Sequence, residues 1–370
     1  MQLRVWAPIV LSAAALVAAG CGSDDSSDSG SSGAAATTEA APAAAKAGKV
    51  AVLLPDTKSS VRWETQDRRY LADAFKAAGV DATIVNAQGD PSQQRSQADQ
   101  ALTNGAKVIL LVDLDPGSGA AIIQAAHNKG AKVIDYDRLT LGGGADYYVS
   151  FDNVAVGTLQ GEGLAKCLSD KPKAVVAELN GSPTDNNATL FAQGYDAVLD
   201  PLYKDGTLTK GPNQSVPEWD NQKALTIFEQ MLQQKSNKID GVLAANDGIA
   251  NSVISALNAR KLGPLPVTGQ DATAEGIQHI LAGEQCMTVY KAVKAEADAA
   301  GKLAIALAKG ETPTTDATTD NKDQKTPSVL LKPVSVTKEN IADTVIKDGF
   351  LKREDICIGK YEKFCTDAGI

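Results

Sequence analysis

The sequence predicts an α/β protein made of two doubly wound, Rossmann-like lobes joined by a hinge. Two observations carry this prediction. Short apolar segments alternate with segments of helical periodicity along most of the chain, an order that is typical of right-handed βαβ units in parallel sheets. The alternation begins again near the middle of the chain, and 370 residues suffice for two hydrophobic cores.

The first half contains the elements of one lobe. Lys49–Leu54 is an apolar run followed by Pro55, as expected for a buried parallel strand. Residues 62–78 carry apolar side chains at helical spacing and are followed by Gly79, which predicts a helix and its end. The further predicted elements are strands at 81–85, 107–112, 132–136 and 147–151 and helices at 91–104 and 120–129.

The second half repeats the pattern. Residues 220–234 show the i, i+3, i+4, i+7 stripe of an amphipathic helix, and the Pro- and Thr-rich residues 311–327 predict a surface loop. The other predicted elements are helices at 154–168, 189–202, 248–259, 275–282 and 293–308 and strands at 174–179, 239–244, 266–269, 287–290 and 328–331. Ligands of such sheets bind beyond the carboxyl ends of the strands, so a site is expected there.

The composition argues against several classes of protein. The chain has 36 Lys and Arg against 45 Asp and Glu, and its net charge is −9. This balance disfavours binding to nucleic acid or to anionic lipid. With 2 His and no clustered cysteines, we predict neither a metal site nor a cofactor. His127 and His279 fall in helical segments and are predicted to be surface residues.

The N-terminus predicts export. Arg4, an apolar stretch at 5–19 and small residues precede Cys21, a pattern that resembles a bacterial lipoprotein signal. It implies removal of a signal peptide at 1–20 and a lipid on the Cys21 sulfur; the alternative is an ordinary secretory signal with an incidental cysteine. Residues 21–48 then predict a flexible Ser/Gly/Ala tether, because residues 22–48 hold no aromatic or large aliphatic side chain. We therefore expect a protein that is extracytoplasmic and lipid-anchored to the cell membrane.

The other four cysteines predict two disulfide bonds, because an even number is typical of exported proteins. Cys357 and Cys365 flank a short C-terminal segment and would close a small loop. Pairing of Cys167 with Cys286 follows by elimination. Buried free thiols are the alternative, since cysteine also behaves as a small apolar core residue.

Polar side chains and two tryptophans recur at the ends of the predicted strands in both halves. Carboxylates, amides and guanidinium groups form paired hydrogen bonds with neighbouring hydroxyl groups, and an indole face suits the apolar face of a pyranose ring. The set therefore predicts recognition of a neutral sugar. Its members are Lys58, Arg62, Trp63, Asp137, Arg138, Asp185, Asn187, Trp219, Asn246, Gln270, Asp271 and Lys291.

Each of these residues also has a purely structural interpretation. Asp and Asn at strand ends are common helix caps, and Arg138 can pair with a neighbouring carboxylate on the surface. Trp63 and Trp219 can be core residues, and Lys291 can be a solvated side chain. Recurrence at successive strand ends favours the functional interpretation.

Several longer segments closely resemble the D-xylose-binding proteins of bacterial ABC transporters. They are YDR (136–138), SFDN (150–153), GSPTDNNATLF (181–191), GQDA (269–272), AGEQCMTVYK (282–291) and DTVIKDGF (343–350). Two further segments, TKSSVRW (57–63) and LLKPVSVTKEN (330–340), are similar to the related multiple-monosaccharide-binding proteins. The resemblance extends from about residue 49 to residue 350, and the tail from Leu351 lies outside it.

This resemblance implies a type I periplasmic-binding-protein fold whose chain crosses between two lobes three times. The expected crossings are near 151–153, 292–293 and 332–333. The N-terminal lobe would then comprise 49–150 and 293–331, and the C-terminal lobe 151–292 and 332–370. The resemblance also implies ligand contacts for Arg62, Trp63, Asp137, Arg138, Asp185, Asn187, Trp219, Asn246, Asp271 and Lys291, with Lys58 and Gln270 as weaker candidates.

The implied function is capture of a monosaccharide, D-xylose or a related aldopyranose, by closure of the lobes and its delivery to an ABC permease and its ATPase. A monomer without enzymatic activity is expected. A sensor that passes a sugar-like signal to a chemoreceptor or kinase is the alternative. A repressor of the same fold is disfavoured by the export signal. An enzyme with a Schiff-base Lys291 is disfavoured because no acid–base residues accompany the lysine.

Overall fold

The computed structural model describes residues 47–370. The predicted signal peptide, Cys21 and all but the end of the predicted tether lie outside the described residues. Between residues 47 and 370, no helix combines the length and the apolar character that a membrane crossing requires.

Strands and helices alternate through the described chain. The strands are β1 (Lys49–Leu54), β2 (Ala82–Asn86), β3 (Ala106–Leu111), β4 (Lys132–Tyr136), β5 (Tyr147–Phe151), β6 (Ala174–Asn180), β7 (Leu208–Ser215), β8 (Gly241–Ala244), β9 (Thr288–Tyr290), β10 (Ala317–Asp320), β11 (Lys325–Leu331) and β12 (Val334–Val336). The α-helices are α1 (Arg68–Ala77), α2 (Pro91–Thr103), α3 (Pro116–Asn128), α4 (Asn153–Cys167), α5 (Asn186–Lys204), α6 (Asn221–Gln234), α7 (Asp247–Arg260), α8 (Ala274–Ala282), α9 (Val293–Ala308), α10 (Arg353–Ile356) and α11 (Tyr361–Asp367). Two π-helical turns, Trp63–Asp67 and Ala342–Ile346, and a 3-10 turn, Pro217–Trp219, complete the helical elements.

One sheet has seven strands in the order β10-β11-β5-β4-β3-β1-β2. All neighbours are parallel except β10, which forms an antiparallel hairpin with β11. Because successive side chains of a strand point to opposite faces, Val52 and Leu54 pack with the α1 and α9 layer, whereas Leu53 packs with α2 and α3. The sheet is therefore covered on both faces, as a parallel sheet requires.

The second half of the chain forms a smaller parallel sheet in the order β7-β6-β8 and a separate antiparallel pair of β9 and β12. Its core draws on α4, α5, α6 and α7. Helices α4 and α5 pack closely because Gly157 and Gly194 lie at their contact, where a Cβ atom would overlap the backbone of the other helix.

The chain passes between these two parts three times. The passages follow β5 at residues 151–153, β9 at 291–293 and β11 at 331–334. Two disulfide bonds are formed: Cys167–Cys286 joins the end of α4 to the segment before β9, and Cys357–Cys365 links α11 to the residue after α10.

Three segments differ from the sequence-based expectations. Residues 266–269, predicted as a strand, form a single bridge between Val267 and Val242. Residues 208–215 form the edge strand β7, which the apolar pattern missed because Leu208 alone is buried there. The predicted surface loop at 311–327 contains β10, whose polar sequence ATTD pairs with β11.

The histidines give one confirmation and one correction. His127 is exposed on α3, as predicted. The prediction that His279 is a surface residue is wrong, because His279 is buried on α8 and its Nδ1 lies 2.6 Å from Glu284 Oε2. The carboxylate allows a polar ring to be buried on this amphipathic helix.

Candidate ligand-binding site

A cavity with about 310 Å³ of empty space lies where the loops after β1, β4, β6, β8 and β9 meet. This is the carboxyl-terminal edge of the parallel strands, where α/β sheets bind ligands. The lining residues are Ser59, Ser60, Arg62, Trp63, Asp137, Arg138, Asp185, Asn187, Phe191, Trp219, Asn246, Gln270, Asp271 and Lys291.

The lining contains eleven of the twelve residues that the sequence singled out. Lys58 is the exception, because its side chain is exposed and does not reach the cavity. Sequence reasoning missed Ser59, Ser60 and Phe191. The two serines lie in the same loop as Arg62 and could have been suggested by position, whereas Phe191 is indistinguishable from an ordinary core residue of α5.

Arg62 is held firmly on one side of the cavity. Its Nε and Nη2 donate to the two carboxylate oxygens of Asp67 at 2.9 and 2.7 Å, and its Nη1 donates to Asp137 Oδ2 at 2.8 Å. Nη2 also donates to Glu296 at the start of α9. Burial acts to lower the pKa of the guanidinium, but Asp67, Glu296 and Asp137 raise it above its ordinary value. Four of its five N–H groups are committed to carboxylates, and one remains.

Asp137 connects several elements. Besides Arg62, its carboxylate accepts a hydrogen bond from Asn187 at 3.1 Å and lies 3.5 Å from Lys291 Nζ. Its backbone has a φ of 62°, a left-handed conformation that is uncommon for a residue with a side chain. Burial alone would raise the pKa of Asp137, but Lys291, Arg62 and Arg138 lower it to about 2. Asp137 is therefore ionised at neutral pH.

The opposite side of the cavity is less completely bonded. Lys291 Nζ lies 3.5 Å from Asp137 and 3.6 Å from Asp271, beyond normal hydrogen-bond distance. Within residues 47–370, Asp271 Oδ1 and Gln270 Oε1 are buried without a hydrogen-bond partner. A lysine with free donors and two buried acceptors can thus bind a ligand that both donates and accepts hydrogen bonds.

Arg138 and Asp185 pair across the cavity, with Nε 3.1 Å from Oδ2. Asp185 also caps α5 by accepting from the backbone N–H of Asn187 and accepts a hydrogen bond from Trp219 Nε1 at 3.1 Å. Arg138 further donates to the Asp113 carbonyl at 3.1 Å. The cap interpretation of Asp185 and its place in the cavity are therefore both correct.

The two tryptophans form apolar walls. Trp63 lies beneath Arg62, whose guanidinium carbon is 4.6 Å from the ring centroid, and its Nε1 donates to Ser59 Oγ at 3.0 Å. Trp219 follows Glu218, and both have a positive φ. A Cβ at Gly181 would overlap the Trp219 ring. A strained turn and a missing side chain thus hold this indole at the cavity.

Several hydrogen bonds join the loops of the seven-stranded sheet to those of the smaller sheet, and three of them involve side chains that line the cavity. Ser60 Oγ donates to Asp271 Oδ2 at 3.0 Å, and Asn246 Nδ2 donates to the Ser59 carbonyl at 3.1 Å. Asn187 Nδ2 donates to Asp137, as described above. Asn246 also caps α7 through its Oδ1. The cavity is therefore enclosed by both parts of the molecule.

Comparison with known proteins places the chain in a family. The model of the periplasmic binding protein domain matches residues 50–312. The D-xylose-binding periplasmic protein of Escherichia coli (strain K12) is 36% identical over 84% of this chain and 93% of the relative. The multiple sugar-binding periplasmic receptor ChvE of Rhizobium radiobacter is 34% identical over 85% of this chain and 93% of its own length.

Solved structures agree with this placement. A carbohydrate transporter solute-binding protein from Chloroflexus aurantiacus, in complex with D-glucose, is 30% identical with a TM-score of 0.75 and covers 83% of this chain and 97% of its own. These matches confirm the predicted type I periplasmic-binding-protein fold. The chain belongs to the periplasmic binding protein family and is an extracytoplasmic binding protein rather than an enzyme.

Proposed function

We propose that this protein is the binding component of an ABC-type importer and captures a monosaccharide, D-xylose or a related aldose. The observation that carries the ligand class is the charge of the cavity lining, in which three cations, Arg62, Arg138 and Lys291, face three carboxylates, Asp137, Asp185 and Asp271. The lining has no excess positive charge for an anionic ligand to neutralise, because Asp67 and Glu296 behind Arg62 add carboxyl groups and no cations. It suits a neutral ligand with many hydroxyl groups.

The names of the relatives support this choice. Two of them are D-xylose-binding periplasmic proteins, from Escherichia coli and Haemophilus influenzae, at 36% and 37% identity. Others are multiple sugar-binding proteins, and two solved neighbours hold D-glucose. D-Xylose and D-glucose are therefore the first two ligands to compare.

The ligand would lie between the tryptophan walls and bond mainly to the incompletely bonded groups. Lys291 would donate to ring hydroxyls, and Asp271 and Gln270 would accept from them. The remaining N–H of Arg62 would add a donor. Asp137, Arg138, Asp185, Asn187 and Asn246 would complete the contact set while retaining the protein contacts described above.

Binding would be coupled to closure of two lobes. The proposed lobes are 49–150 with 293–331 and 151–292 with 332–370, in agreement with the sheet to which each strand belongs. Because the cavity takes side chains from both parts, a ligand would bind the closed form more tightly and shift the population toward it. The closed form would then be recognised by the permease.

A thermal-shift panel tests the ligand class. D-Xylose, D-glucose, D-galactose, L-arabinose, D-ribose and myo-inositol are added to the purified protein, with D-galacturonate as the charged comparison. A ligand that binds only the folded state raises the melting temperature. We expect at least one neutral aldose to give a larger shift than galacturonate. No shift with any aldose, or a shift with galacturonate alone, would contradict the proposal.

Membrane attachment is a separate part of the proposal. A lipid on Cys21 would hold the domain outside the cell through residues 22–48. The Cys21→Ala variant should then be lost from the membrane fraction, whereas the protein that keeps Cys21 should remain in it. Equal partition of both into the soluble fraction would favour the ordinary secretory signal.

Transport and sensing differ in the partner. If the protein serves an importer, the sugar-loaded form should stimulate ATP hydrolysis by its partner permease and ATPase, reconstituted in liposomes. Absence of stimulation, together with sugar-dependent binding to a chemoreceptor or kinase, would favour the sensor.

A further inference from the structure

A second space adjoins the cavity and is not used by the proposed function. This outer groove has about 640 Å³ of empty space, part of it open to solvent. Residues 58–61 bound it on one side, and the first turns of α6, α7 and α8 bound it on the other. Four residues line both spaces, namely Ser59, Ser60, Asn246 and Asp271. The two spaces are therefore continuous except for the contacts between these residues.

The outer groove contains buried acceptors without donors. Within the described chain, Oδ1 of Asn221 and Oδ1 of Asn251 are buried and have no hydrogen-bond partner, whereas Oδ1 of Asp271 faces the cavity, 3.6 Å from Lys291 Nζ. The orientation of Asn251 is determined by its Nδ2, which donates to Glu275 Oε2 at 2.7 Å, so Oδ1 is the atom left over. Asp271 is 8% exposed. Such acceptors are costly unless a ligand or water supplies hydrogen-bond donors.

The partition between the cavity and the outer groove consists of two hydrogen bonds. These are Ser60 Oγ to Asp271 Oδ2 and Asn246 Nδ2 to the Ser59 carbonyl. Ligand oxygens can replace the first bond, because a hydroxyl or ether oxygen accepts from Ser60 and a neighbouring hydroxyl donates to Asp271. A substituent on a sugar ring in the cavity would pass into the outer groove between Ser60 and Asp271.

We propose that the outer groove is a second subsite, which binds the second ring of a neutral disaccharide whose first ring occupies the cavity. The inference rests on the proposed function. The acceptors require hydroxyl donors, and the lining carries two carboxylates, Asp271 and Glu275, against one cation, Lys58, which disfavours an anionic substituent. Val61, 60% exposed on the rim, offers an apolar flank to the C–H face of the ring.

Titration calorimetry with paired sugars tests the subsite. The purified protein is titrated with D-xylose and β-1,4-xylobiose and with D-glucose and cellobiose. The Asn251→Ala variant removes an acceptor that lines the outer groove but not the cavity. The matched control is Asn128→Ala, at the exposed end of α3.

The expected result is that at least one disaccharide binds. Asn251→Ala should lower the affinity for that disaccharide by about fivefold or more, which is the scale of a lost hydrogen bond. It should change the affinity for the corresponding monosaccharide by less than about twofold. Asn128→Ala should change the affinity for neither sugar. Binding of the monosaccharides without either disaccharide would overturn the subsite, as would an equal effect of Asn251→Ala on both members of a pair. If no monosaccharide binds, the proposed function fails; a disaccharide that still responds to Asn251→Ala would then leave the subsite standing.

Discussion

The two buried cations at opposite sides of the cavity differ in how completely they are bonded. Arg62, beside the seven-stranded sheet, donates to three carboxylates at hydrogen-bond distance. Lys291, beyond β9, has carboxylates no closer than 3.5 Å. A fully bonded cation fixes the shape of a site, whereas an incompletely bonded one retains the capacity to bind a ligand. We therefore expect Arg62 mainly to stabilise the folded structure of the site and Lys291 mainly to bind the ligand.

The largest expected effect is the loss of Arg62. Arg62→Ala would leave Asp67, Asp137 and Glu296 without their shared cation, and breaking a buried ion pair typically costs about 3–5 kcal/mol. Urea denaturation should show a decrease of that size in the free energy of unfolding. Arg95→Ala, on an exposed position of α2, is the control and should change it by less than about 0.5 kcal/mol. A decrease of less than about 1 kcal/mol for Arg62→Ala would contradict the structural role that we expect for Arg62.

Substitution of Asp271 tests the Lys291 side of the cavity. Asp271→Asn keeps the shape but removes a charged acceptor, so we expect sugar affinity to fall by about 1.5–3 kcal/mol with little change in unfolding. Calorimetry with the best ligand of the aldose panel measures the first quantity, and urea denaturation the second. Asp73→Asn, exposed on α1, is the control. Unchanged affinity would show that this side does not contact the ligand.

Gly181 tests whether the position of Trp219 matters for binding. Gly181→Ala would force the indole to move, because the new methyl group overlaps the ring. Overpacking of this kind typically lowers the stability of the folded protein by about 1–3 kcal/mol. Because the displaced indole lines the cavity, we expect sugar affinity to fall by a comparable amount. Gly117→Ala on α3, where the nearest atom to the new methyl is Asp115 Oδ1 at 3.2 Å, is the control. Full affinity in Gly181→Ala would show that Trp219 is only a core residue.

The pH dependence of stability tests the buried carboxyl groups around the site. Burial raises the pKa of Asp113 to about 7 and that of Asp247 to about 6, and it raises the pKa of Glu296 although Arg62 acts to lower it. Between about pH 5 and 8 the folded protein therefore retains protons that the unfolded chain has lost, and the free energy of unfolding should fall as the pH rises, by at most about 1.4 kcal/mol per pH unit for each carboxyl that is still protonated. Asp137, with its lowered pKa, acts oppositely and contributes stability that is lost only as the pH falls from about 4 toward 2.

Urea denaturation at pH 5, 6, 7 and 8 measures this slope. Glu296→Gln should flatten it by removing one titrating group next to Arg62, whereas Glu354→Gln, on an exposed position of α10, should not. A rise in stability across this interval would contradict the expected protonation of the buried carboxyls.

The fold could be predicted from the sequence, and eleven of the twelve candidate residues line one cavity, because both results depend on local patterns. Buried parallel strands such as β1 and β3 are continuous apolar runs, and parallel strands bring the residues that follow them to one edge. This is why Arg62, Asp137 and Asn246, which follow the parallel strands β1, β4 and β8, could be selected before their contacts were known. Strand β7 was missed because an exposed edge strand has no apolar run.

The pairing of the site residues could not be predicted. Arg62 and Glu296 are 234 positions apart, and no spacing rule connects them. Lys58 and Ser59 are adjacent in one loop, yet Ser59 lines the cavity and Lys58 is exposed. The direction of a loop side chain depends on backbone angles and on partners such as Asp56, which accepts from the backbone N–H groups of both residues.

The placement of the tryptophans has an optical consequence. The chain has three, and the one outside the described residues, Trp6, lies in the predicted signal peptide. Trp63 and Trp219 both line the cavity. If the predicted signal peptide is removed, the ultraviolet emission of the remaining chain should come almost entirely from this cavity, because indole emits more strongly than the other aromatic side chains. Sugar capture and release should be readable in real time from the unlabelled protein.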